Sequence, residues 1–277
     1  MFRDKGRRDR LFVSERLIDV VPVSDHPGGT RWQAMAPGGF VAGVIGLRPT
    51  TPFGPDPLSP TAPGDLELSL HVEPDWRRRG IGSRLLAATK DTIDARLIAD
   101  VEAGSPGEAF CRRHGFRRTG SRRHDLLTYC DLHLAWLGEL VDAEPPGYRL
   151  THWVGDLPDA RGVGELLRSP SHPGNAVLTA ADADGDLAAY AVAVVDQVSR
   201  ARQYGPAVHP DHRGGRLGVW VNAALAQRLR EVHPHVDEIE TTTAEDDLGL
   251  LDVREHLGFR PLLRTHVYEL AGQGRTT

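Results

Sequence analysis

The sequence predicts an α/β fold in which one strand–loop–helix unit occurs twice. A strand, a proline, a basic glycine-containing turn and an amphipathic helix follow one another in two places, which read VEPDWRRRGIG at 72–82 and VHPDHRGGRLG at 208–218. Each is followed further along the chain by a similar short segment, HGFR at 114–117 and LGFR at 257–260. Repetition of this kind is explained most simply by two copies of one structural unit.

The first copy is predicted to run in the order hairpin, loop, strand, helix, strand and helix. Alternation of apolar and polar residues predicts the strand, and apolar residues at helical spacing predict the helix after it. The loop is rich in proline, which removes backbone donors, so it is a candidate lid or a solvated excursion. These elements lie at 32–47, 49–64, 66–72, 85–93, 97–101 and from about 107.

The second copy is predicted to open with a strand and a helix, followed by a hairpin that turns at Asp184-Gly185-Asp186. After the repeated loop, a helix, a strand and a helix complete it. These elements lie at 148–154, 157–167, 176–195, 219–231, 236–243 and 248–256. A proline pair after a helical stretch at 132–141 predicts a linker, so the predicted domains are 1–135 and 148–277, joined by residues 136–147.

Composition predicts a soluble, cytoplasmic protein. The chain is 40% apolar and 26% charged, and its net charge is −5. The acidic balance disfavours nucleic acid as a partner and suits a cationic acceptor such as an amine. Cys111 and Cys130 are the two cysteines, and their spacing excludes a disulfide framework and a thiolate zinc site. We expect a reducing compartment, no membrane partner and no metal.

The repeated loop has the features of a phosphate-binding device. Glycines let the backbone approach an anion, free N–H groups at a helix start point toward it, and the helix dipole adds a favourable potential. Arginines beside the glycines, Arg77 to Arg79 in the first copy, add charge-assisted hydrogen bonds. These features predict a phosphate or diphosphate ligand without saying which one.

The first copy also resembles the signature of a known family, the GNAT (GCN5-related N-acetyltransferase) superfamily. The family pattern is (Q/R)xxGx(G/A), which Arg77, Gly80 and Gly82 resemble; Val72 and Pro74 come before them, and Leu85 and Leu86 follow. The match extends to Gly115-Phe116. The resemblance implies two tandem GNAT folds of the actinobacterial type, each with a mixed, mostly antiparallel sheet flanked by helices.

The same resemblance implies a function. GNAT enzymes transfer an acyl group from acetyl-CoA or another acyl-CoA, most often to an amine that attacks the thioester directly. Their loop holds the diphosphate, and the strand before it follows the pantetheine arm, splayed at a bulge where a backbone N–H can polarise the thioester carbonyl. The implied cofactor-binding residues are Val72, Arg77, Arg78, Arg79, Gly80, Ile81, Gly82 and Ser83.

Acid and base candidates also follow from the family. Glu67 is the first candidate for the general base, because GNAT enzymes often place a glutamate near this part of the strand; His71 is the alternative. The family acid is frequently a tyrosine four residues before the Gly-Phe pair, and this chain has Cys111 there and Arg254 in the second copy. Cys111 is thus a candidate acid or a small packed residue.

The second copy departs from the pattern, because Arg216 stands where a glycine is usual. The segment Arg213 to Gly218 therefore either binds cofactor or serves a structural role. His209 and His212 have a metal-like spacing but lie inside this loop, and Trp76 is a candidate to stack on adenine. Trp153 and Trp220 are expected in the core or at an interface between the domains.

The resemblance leaves three functions open: an acyl-CoA-dependent N-acyltransferase for a small amine, an acyltransferase with a carrier-protein or aminoacyl-tRNA donor, and a non-catalytic CoA-binding protein. The first copy has a short segment before its hairpin, so a wall of the acceptor pocket is expected from the second domain or from a homodimer partner.

Overall fold

The chain folds into two compact units that are not contiguous in sequence. The computed structural model describes residues 18–23, 30–50, 65–157, 162–195 and 199–272. Of these, unit 1 contains the residues up to Thr50, those from Asp65 to Thr119, and those from Val267 onward; unit 2 contains those from Gly120 to His266. The end of the chain thus belongs to unit 1. The domain limits at 135 and 148 stay a prediction.

Unit 1 is a mixed sheet with two helices among its described residues. Strands β1 to β4 are joined antiparallel, and β5 runs parallel to β4. Residues 267–270 lie next to β5. The elements are β1 (Asp19–Val23), β2 (Thr30–Ala36), β3 (Phe40–Pro49), β4 (Leu66–Val72), α1 (Ile81–Thr92), β5 (Leu97–Glu102) and α2 (Pro106–Arg113). The predicted hairpin, strands and helices of the first copy are confirmed, whereas the proline-rich stretch 51–64 lies outside the described residues.

Helix α1 packs closely on the sheet of unit 1 because one strand position has no side chain. A Cβ at Gly43 would lie 3.2 Å from Ile81 Cγ2 and 3.3 Å from Leu85 Cδ1. Ile81, Leu85 and Leu86 are at most 2% exposed and join the core formed by β2, β3 and β5. Each such side chain contributes about 1.5–3 kcal/mol by burial, which fixes the start of α1 against β4.

Unit 2 has the same kind of architecture. The strands β7 to β10 are joined antiparallel, β11 runs parallel to β10, and β6 is antiparallel to β11. The elements are β6 (Arg117–Thr128), α3 (Leu134–Asp142), β7 (Arg149–Gly155), α4 (Val163–Arg168), β8 (Ala176–Ala183), β9 (Asp186–Val195), β10 (Arg200–Val208), α5 (Leu217–Val232), β11 (Glu238–Ala244), α6 (Leu248–His256) and β12 (Arg260–Leu270). Residues 117–119 of β6 and 267–270 of β12 belong to unit 1. The mixed, mostly antiparallel α/β fold is confirmed.

Three strands were missed by the sequence interpretation: β1 in unit 1, and the long strands β6 and β12. β6 and β12 begin directly after the Gly-Phe pairs, and β6 reads RRTGSRRHDLLT. Its polar residues hide the period of two because only the last part of the strand has a buried face. Trp153 and Trp220 are each 2% exposed, which confirms their core position. No helix in the described part of the chain is long and apolar enough to cross a bilayer.

Candidate functional site

A wedge opens between β4 and β5 in unit 1. The two parallel strands are in register at Leu66 with Leu97 and at Glu67 with Ile98. Both strands continue beyond these pairs, β4 to Val72 and β5 to Glu102. The carboxyl ends of β4 and β5 therefore diverge, and main-chain groups that would complete a ladder face the space between them.

The peptide N–H of Leu70 faces this wedge. The N–H of Leu66 donates to Arg96 O at 2.9 Å on the β5 side, whereas the N–H of Glu73 donates to Ala42 O at 3.0 Å on the β3 side. Backbone groups alternate in direction along a strand, so Leu70 has the orientation of Leu66. It lies three residues beyond the last registered pair with β5, which leaves its N–H directed at the opening.

The loop after β4 is held in shape by its own backbone and by one arginine. A short 3₁₀ turn spans Pro74–Trp76, and the Arg77 Nε donates to Val72 O at 2.9 Å. Arg78 and Gly80 have positive φ angles of 62° and 75°. A positive φ is natural for glycine and uncommon for arginine. Gly80 therefore adopts its backbone conformation without strain, whereas Arg78 adopts one that is unusual for its residue type.

The start of α1 presents free amides to solvent. The first N–H groups of a helix have no partner within it, and no side chain among the described residues caps this one. A Cβ at Gly80 would meet no described atom within 4 Å, so the space in front of the amides is open. Gly82 is tighter, since its Cβ would lie 3.2 Å from Phe110 Cε2 and 3.4 Å from Leu70 Cδ2. The loop is thus an anion cradle beside the wedge.

Arginines surround this cradle. Arg77, Arg78 and Arg79 are consecutive, and the Arg79 guanidinium lies 5.1 Å from the ring centroid of Trp76. This cation–π contact holds the cation next to the loop and covers one face of the indole. The proposed stacking of Trp76 on adenine stays a prediction.

His114 is a site residue that the sequence interpretation missed. Its Nε2 lies 3.0 Å from the Ser83 Oγ, and its ring packs on Phe110 with centroids 4.4 Å apart. Burial, with the positive charges of Arg113 and Lys90, lowers the pKa of His114, so the imidazole is neutral near pH 7. The bond ties the end of α2 to the start of α1. The sequence contains one indication of this residue, the histidine that begins the HGFR segment at 114–117.

Glu67 lies where the wedge begins. Its carboxylate is 3.7 Å from the Arg48 guanidinium and its side chain is 40% exposed, so the ion pair is weak and water reaches the group. His71 is exposed on the same face of β4 and lies 3.7 Å from the Glu73 carboxylate. The structure thus places Glu67 at the last registered pair and His71 on the diverging part of β4, both with exposed side chains.

Cys111 is buried on α2. It is 4% exposed and packs in the core of unit 1. Burial, together with the nearby charge of Glu108, raises the pKa of the thiol to about 11. The thiol therefore stays protonated at neutral pH, which excludes a base and leaves its role as an acid a prediction.

Unit 2 has a loop with nearly the same skeleton. β10 and β11 are in register from Arg200 with Glu238 to Gln203 with Thr241, and β10 then bulges away from β9 between Tyr204 and Ala207. A 3₁₀ turn follows at Pro210–His212, and the Arg213 Nε donates to Val208 O at 3.4 Å. The predicted bulge of the family thus occurs in unit 2, whereas the β3–β4 register of unit 1 is continuous.

Three differences between the two copies concern the strand before the loop, the start of the helix and the helix that precedes the Gly-Phe pair. Pro206 occupies the place of Leu70, two positions before the valine that ends the strand, and proline has no N–H. Arg216, with φ −86°, takes the place of Gly80. Arg254 takes the place of Cys111; it is fully buried, and its Nη2 donates to the Gly205 carbonyl.

The two histidines of the second loop have other partners. His212 Nδ1 lies 3.0 Å from the Tyr148 hydroxyl, and His209 Nδ1 accepts the Asp211 N–H at 3.3 Å. Within the described ranges, no group of three His, Cys, Asp or Glu side chains is placed to hold a metal ion. These contacts shape the 3₁₀ turn after β10.

Known proteins share the sequence pattern of unit 1 and the fold of the chain. Residues 32–118, which contain the wedge and the loop of unit 1, match the family model of the acetyltransferase (GNAT) domain. A tandem GNAT protein from the clavulanic acid biosynthesis pathway, solved without acetyl-CoA, is 25% identical, with 89% of this chain and 84% of that chain covered and a TM-score of 0.65. Residues 32–118 therefore match a GNAT domain, and the chain as a whole resembles a tandem GNAT protein.

Other solved GNAT structures share the fold at lower identity. A GCN5-related N-acetyltransferase from Sphaerobacter thermophilus is 16% identical, covering 87% of this chain and 80% of that one, with a TM-score of 0.59. One from Kribbella flavida is 14% identical, covering 97% and 95%, with a TM-score of 0.55. The comparison with curated proteins found no match. These structures share the fold of this chain along most of its length.

Proposed function

We propose that this protein is an acyl-CoA-dependent N-acyltransferase and that unit 1 holds the acyl-CoA. The observation that carries the proposal is the wedge between β4 and β5, which opens beside a loop with uncapped amides. The amides and arginines at 77–83 suit a diphosphate, and the open space at Gly80 gives the diphosphate access to them. Acetyl-CoA is the donor to test first.

The residues of the wedge then have distinct roles. When bound, the acyl-CoA supplies an activated thioester carbonyl. The Leu70 N–H is directed at the wedge, so it is the donor that stabilises developing negative charge on that oxygen. The exposed edges of β4 and β5 provide further main-chain groups for an extended ligand arm. Ser83 and His114 hold the helix start that carries the amides.

Glu67 is the proposed general base for a small amine acceptor. An amine attacks only in its neutral form, so a proton must be removed from the ammonium ion that dominates in water. Glu67 lies at the last registered pair before the wedge and is in contact with water, so it can take this proton directly or through a water molecule. His71 is the alternative base. Cys111 stays the candidate donor to the leaving thiolate.

A titration and a turnover assay test the proposal. Acetyl-CoA is titrated into the full-length chain by calorimetry, and release of free CoA thiol is then followed with a panel of small amines. We expect saturable binding that Gly80→Val abolishes, and amine-dependent thiol release that Glu67→Gln lowers by about 100-fold. No binding of acetyl-CoA would instead favour a carrier-protein or aminoacyl-tRNA donor.

A second candidate function is a non-catalytic CoA-binding protein. The burial of Cys111 favours it, because the position of the family acid is occupied by a packed thiol with a raised pKa. The same assays separate the two functions, since this candidate predicts binding without amine-dependent thiol release. A cytoplasmic location and a homodimer are further parts of the proposal, and both come from the sequence.

A further inference from the structure

Unit 2 contains a cluster of buried polar side chains that the proposed chemistry does not use. Gln203, Thr241 and Asp125 lie side by side on β10, β11 and β6, because Thr241 is the register partner of both others. From the helices above, Asn222 accepts a hydrogen bond from Gln203, and Arg254 donates to Gly205. We call these five residues, with Thr243, the unit 2 polar cluster; none is more than 3% exposed.

The unit 2 polar cluster has more donors than its acceptors satisfy. Among the described residues, Arg254 Nε and Nη1, Asn222 Nδ2 and Thr243 Oγ1 have no hydrogen-bond partner. Asp125 Oδ1 also lacks one, but it is an acceptor that lies 2.8 Å from the Arg123 Nε as an ion pair. A buried donor without a partner costs about 1–3 kcal/mol, and more when it is charged. Native proteins keep few such groups, and a concentration of them in one place indicates a missing acceptor.

The cation of the cluster has no carboxylate to itself. Asp125 is ion-paired with Arg123 at 2.8 Å, and Arg123 reaches Glu255 at the surface as well. The carboxylate of Asp247 accepts the Leu250 N–H at 3.0 Å as a helix cap. Arg254 thus shares the interior with one carboxylate that already has a partner. Burial lowers the pKa of Arg254 to about 9, more than Asp125 and Asp247 raise it.

Arg254 lies next to the end of β10, which is the side from which a ligand would have to reach it. It stands four residues before the Gly-Phe pair, as Cys111 does in unit 1, and it contacts Gly205 just after the last β10–β11 pair. This is the place where β10 leaves its neighbour and turns toward the second loop. The unpartnered atoms are sealed from solvent, so entry requires the bulge of β10 to open.

We propose that the unit 2 polar cluster binds a carboxylate, with Arg254 as its counter-ion. A carboxylate offers only acceptors, which matches the unpartnered donors of Arg254 and Asn222, and it would give the Arg254 guanidinium a counter-ion of its own. Two sources carry this chemistry: a free small carboxylic acid, or the terminal carboxylate of a dicarboxylic acyl group on CoA. The second source rests on the proposed function, because it needs the loop of unit 2 to hold CoA as proposed for unit 1.

The first test is thermal unfolding of the full-length chain with sodium acetate, malonate or succinate, each against sodium chloride at equal ionic strength. We expect a saturable rise of about 3 °C in Tm at ten times Kd for at least one carboxylate. The rise should disappear in Arg254→Met and persist in Arg264→Met, a control arginine of unit 2 that is 73% exposed. A rise that Arg254→Met leaves unchanged would place the anion elsewhere and overturn the proposal.

The second test separates the two sources. Succinyl-CoA and acetyl-CoA are titrated into the Gly80→Val chain, in which the loop of unit 1 is blocked. Binding of succinyl-CoA alone assigns the carboxylate to an acyl group, whereas an effect of free carboxylates alone assigns it to a free acid. If the wild-type chain responds neither to the free carboxylates nor to succinyl-CoA, the proposal fails. This outcome does not depend on whether the Arg254→Met variant folds. Acetyl-CoA binding to the wild-type chain reports on the proposed function separately.

Discussion

The two loops of this protein have one skeleton and two different chemistries. In both, a 3₁₀ turn follows a proline, and an arginine Nε reaches back to the carbonyl of the strand's last valine, at 2.9 Å for Arg77 and 3.4 Å for Arg213. A residue with positive φ comes next, Arg78 in one loop and Gly214 in the other. Backbone geometry is therefore retained where the side chains have changed.

The differences lie at the positions that would meet a donor. Unit 1 offers a glycine at the helix cap, a free N–H in the wedge and a small buried thiol; unit 2 offers Arg216, Pro206 and Arg254. The arginine contact with the strand is therefore kept while the residues around it differ. We therefore assign the acyl donor to unit 1 and a carboxylate to unit 2 as proposals that substitutions can separate.

The largest effect is expected from a glycine substitution made in each loop. Gly80→Val places a β-branched side chain at φ 75°, in front of the free amides, so acetyl-CoA binding should weaken by about 100-fold or more. Gly214→Val is the matched control, because φ is 83° there. Calorimetric titration should show nearly unchanged affinity for the control. Equal losses in both variants would break the assignment of the donor to unit 1.

The second effect comes from giving unit 1 the proline of unit 2. Leu70→Pro removes the N–H that faces the wedge, and this N–H makes no bond to β3, so the sheet keeps its ladder. We expect kcat to fall by about 100-fold with a much smaller change in acetyl-CoA affinity. Leu70→Ala, which keeps the N–H, is the control. Similar kcat values for the two variants would remove the Leu70 amide from the mechanism.

A third, smaller effect concerns stability in unit 2. Arg254→Met replaces a buried and incompletely bonded cation by an apolar side chain of similar length, so the free energy of unfolding should rise by about 1–2 kcal/mol without added carboxylate. Denaturant unfolding measures it. Cys111→Met in unit 1 should destabilise instead, because it adds volume to a packed core. A large loss of stability in Arg254→Met would show that its contact with Gly205 dominates.

The smallest effect is a change in pH dependence. The folded pKa of His114 lies below 6.5, so its contribution to stability is present above pH 6.5 and is lost as pH falls through the lowered pKa. His114→Leu gives unit 1 the residue of unit 2, Leu257, and should flatten the loss of Tm on acidification. His152 and His233, whose pKa values are also lowered by burial, remain in both proteins. Parallel Tm–pH curves would contradict the role given to His114.

Much of this fold could be predicted because the chain repeats itself. The two proline-glycine loops and the two Gly-Phe pairs gave the order of elements, and the alternation in Leu66–Val72 gave the strand that leads to the site. β6 and β12 could not be found this way, since a polar strand has no apolar period. Pro206 lies two residues before the repeated segment, and its effect could not be predicted without knowing which amide of the corresponding strand faces the wedge.

The geometry of the site could not be predicted from the sequence for a different reason. Divergence of β4 from β5 is a property of register, and register is set by contacts far apart in sequence. The burial of Arg254 was equally hidden, because arginine is expected at the surface of a helix. Sequence placed Cys111 and Arg254 at corresponding positions, and only the structure shows that one is packed in a core and the other is a buried cation.

The central claim is that the wedge of unit 1 receives the acyl donor, and a crystal structure of the complex with acetyl-CoA tests it most directly. We expect the diphosphate to be bonded by the amides of residues 80–83 and the thioester carbonyl to lie within hydrogen-bond distance of the Leu70 N–H. Acetyl-CoA bound at Arg213–Gly218, with the wedge between β4 and β5 closed, would contradict the account.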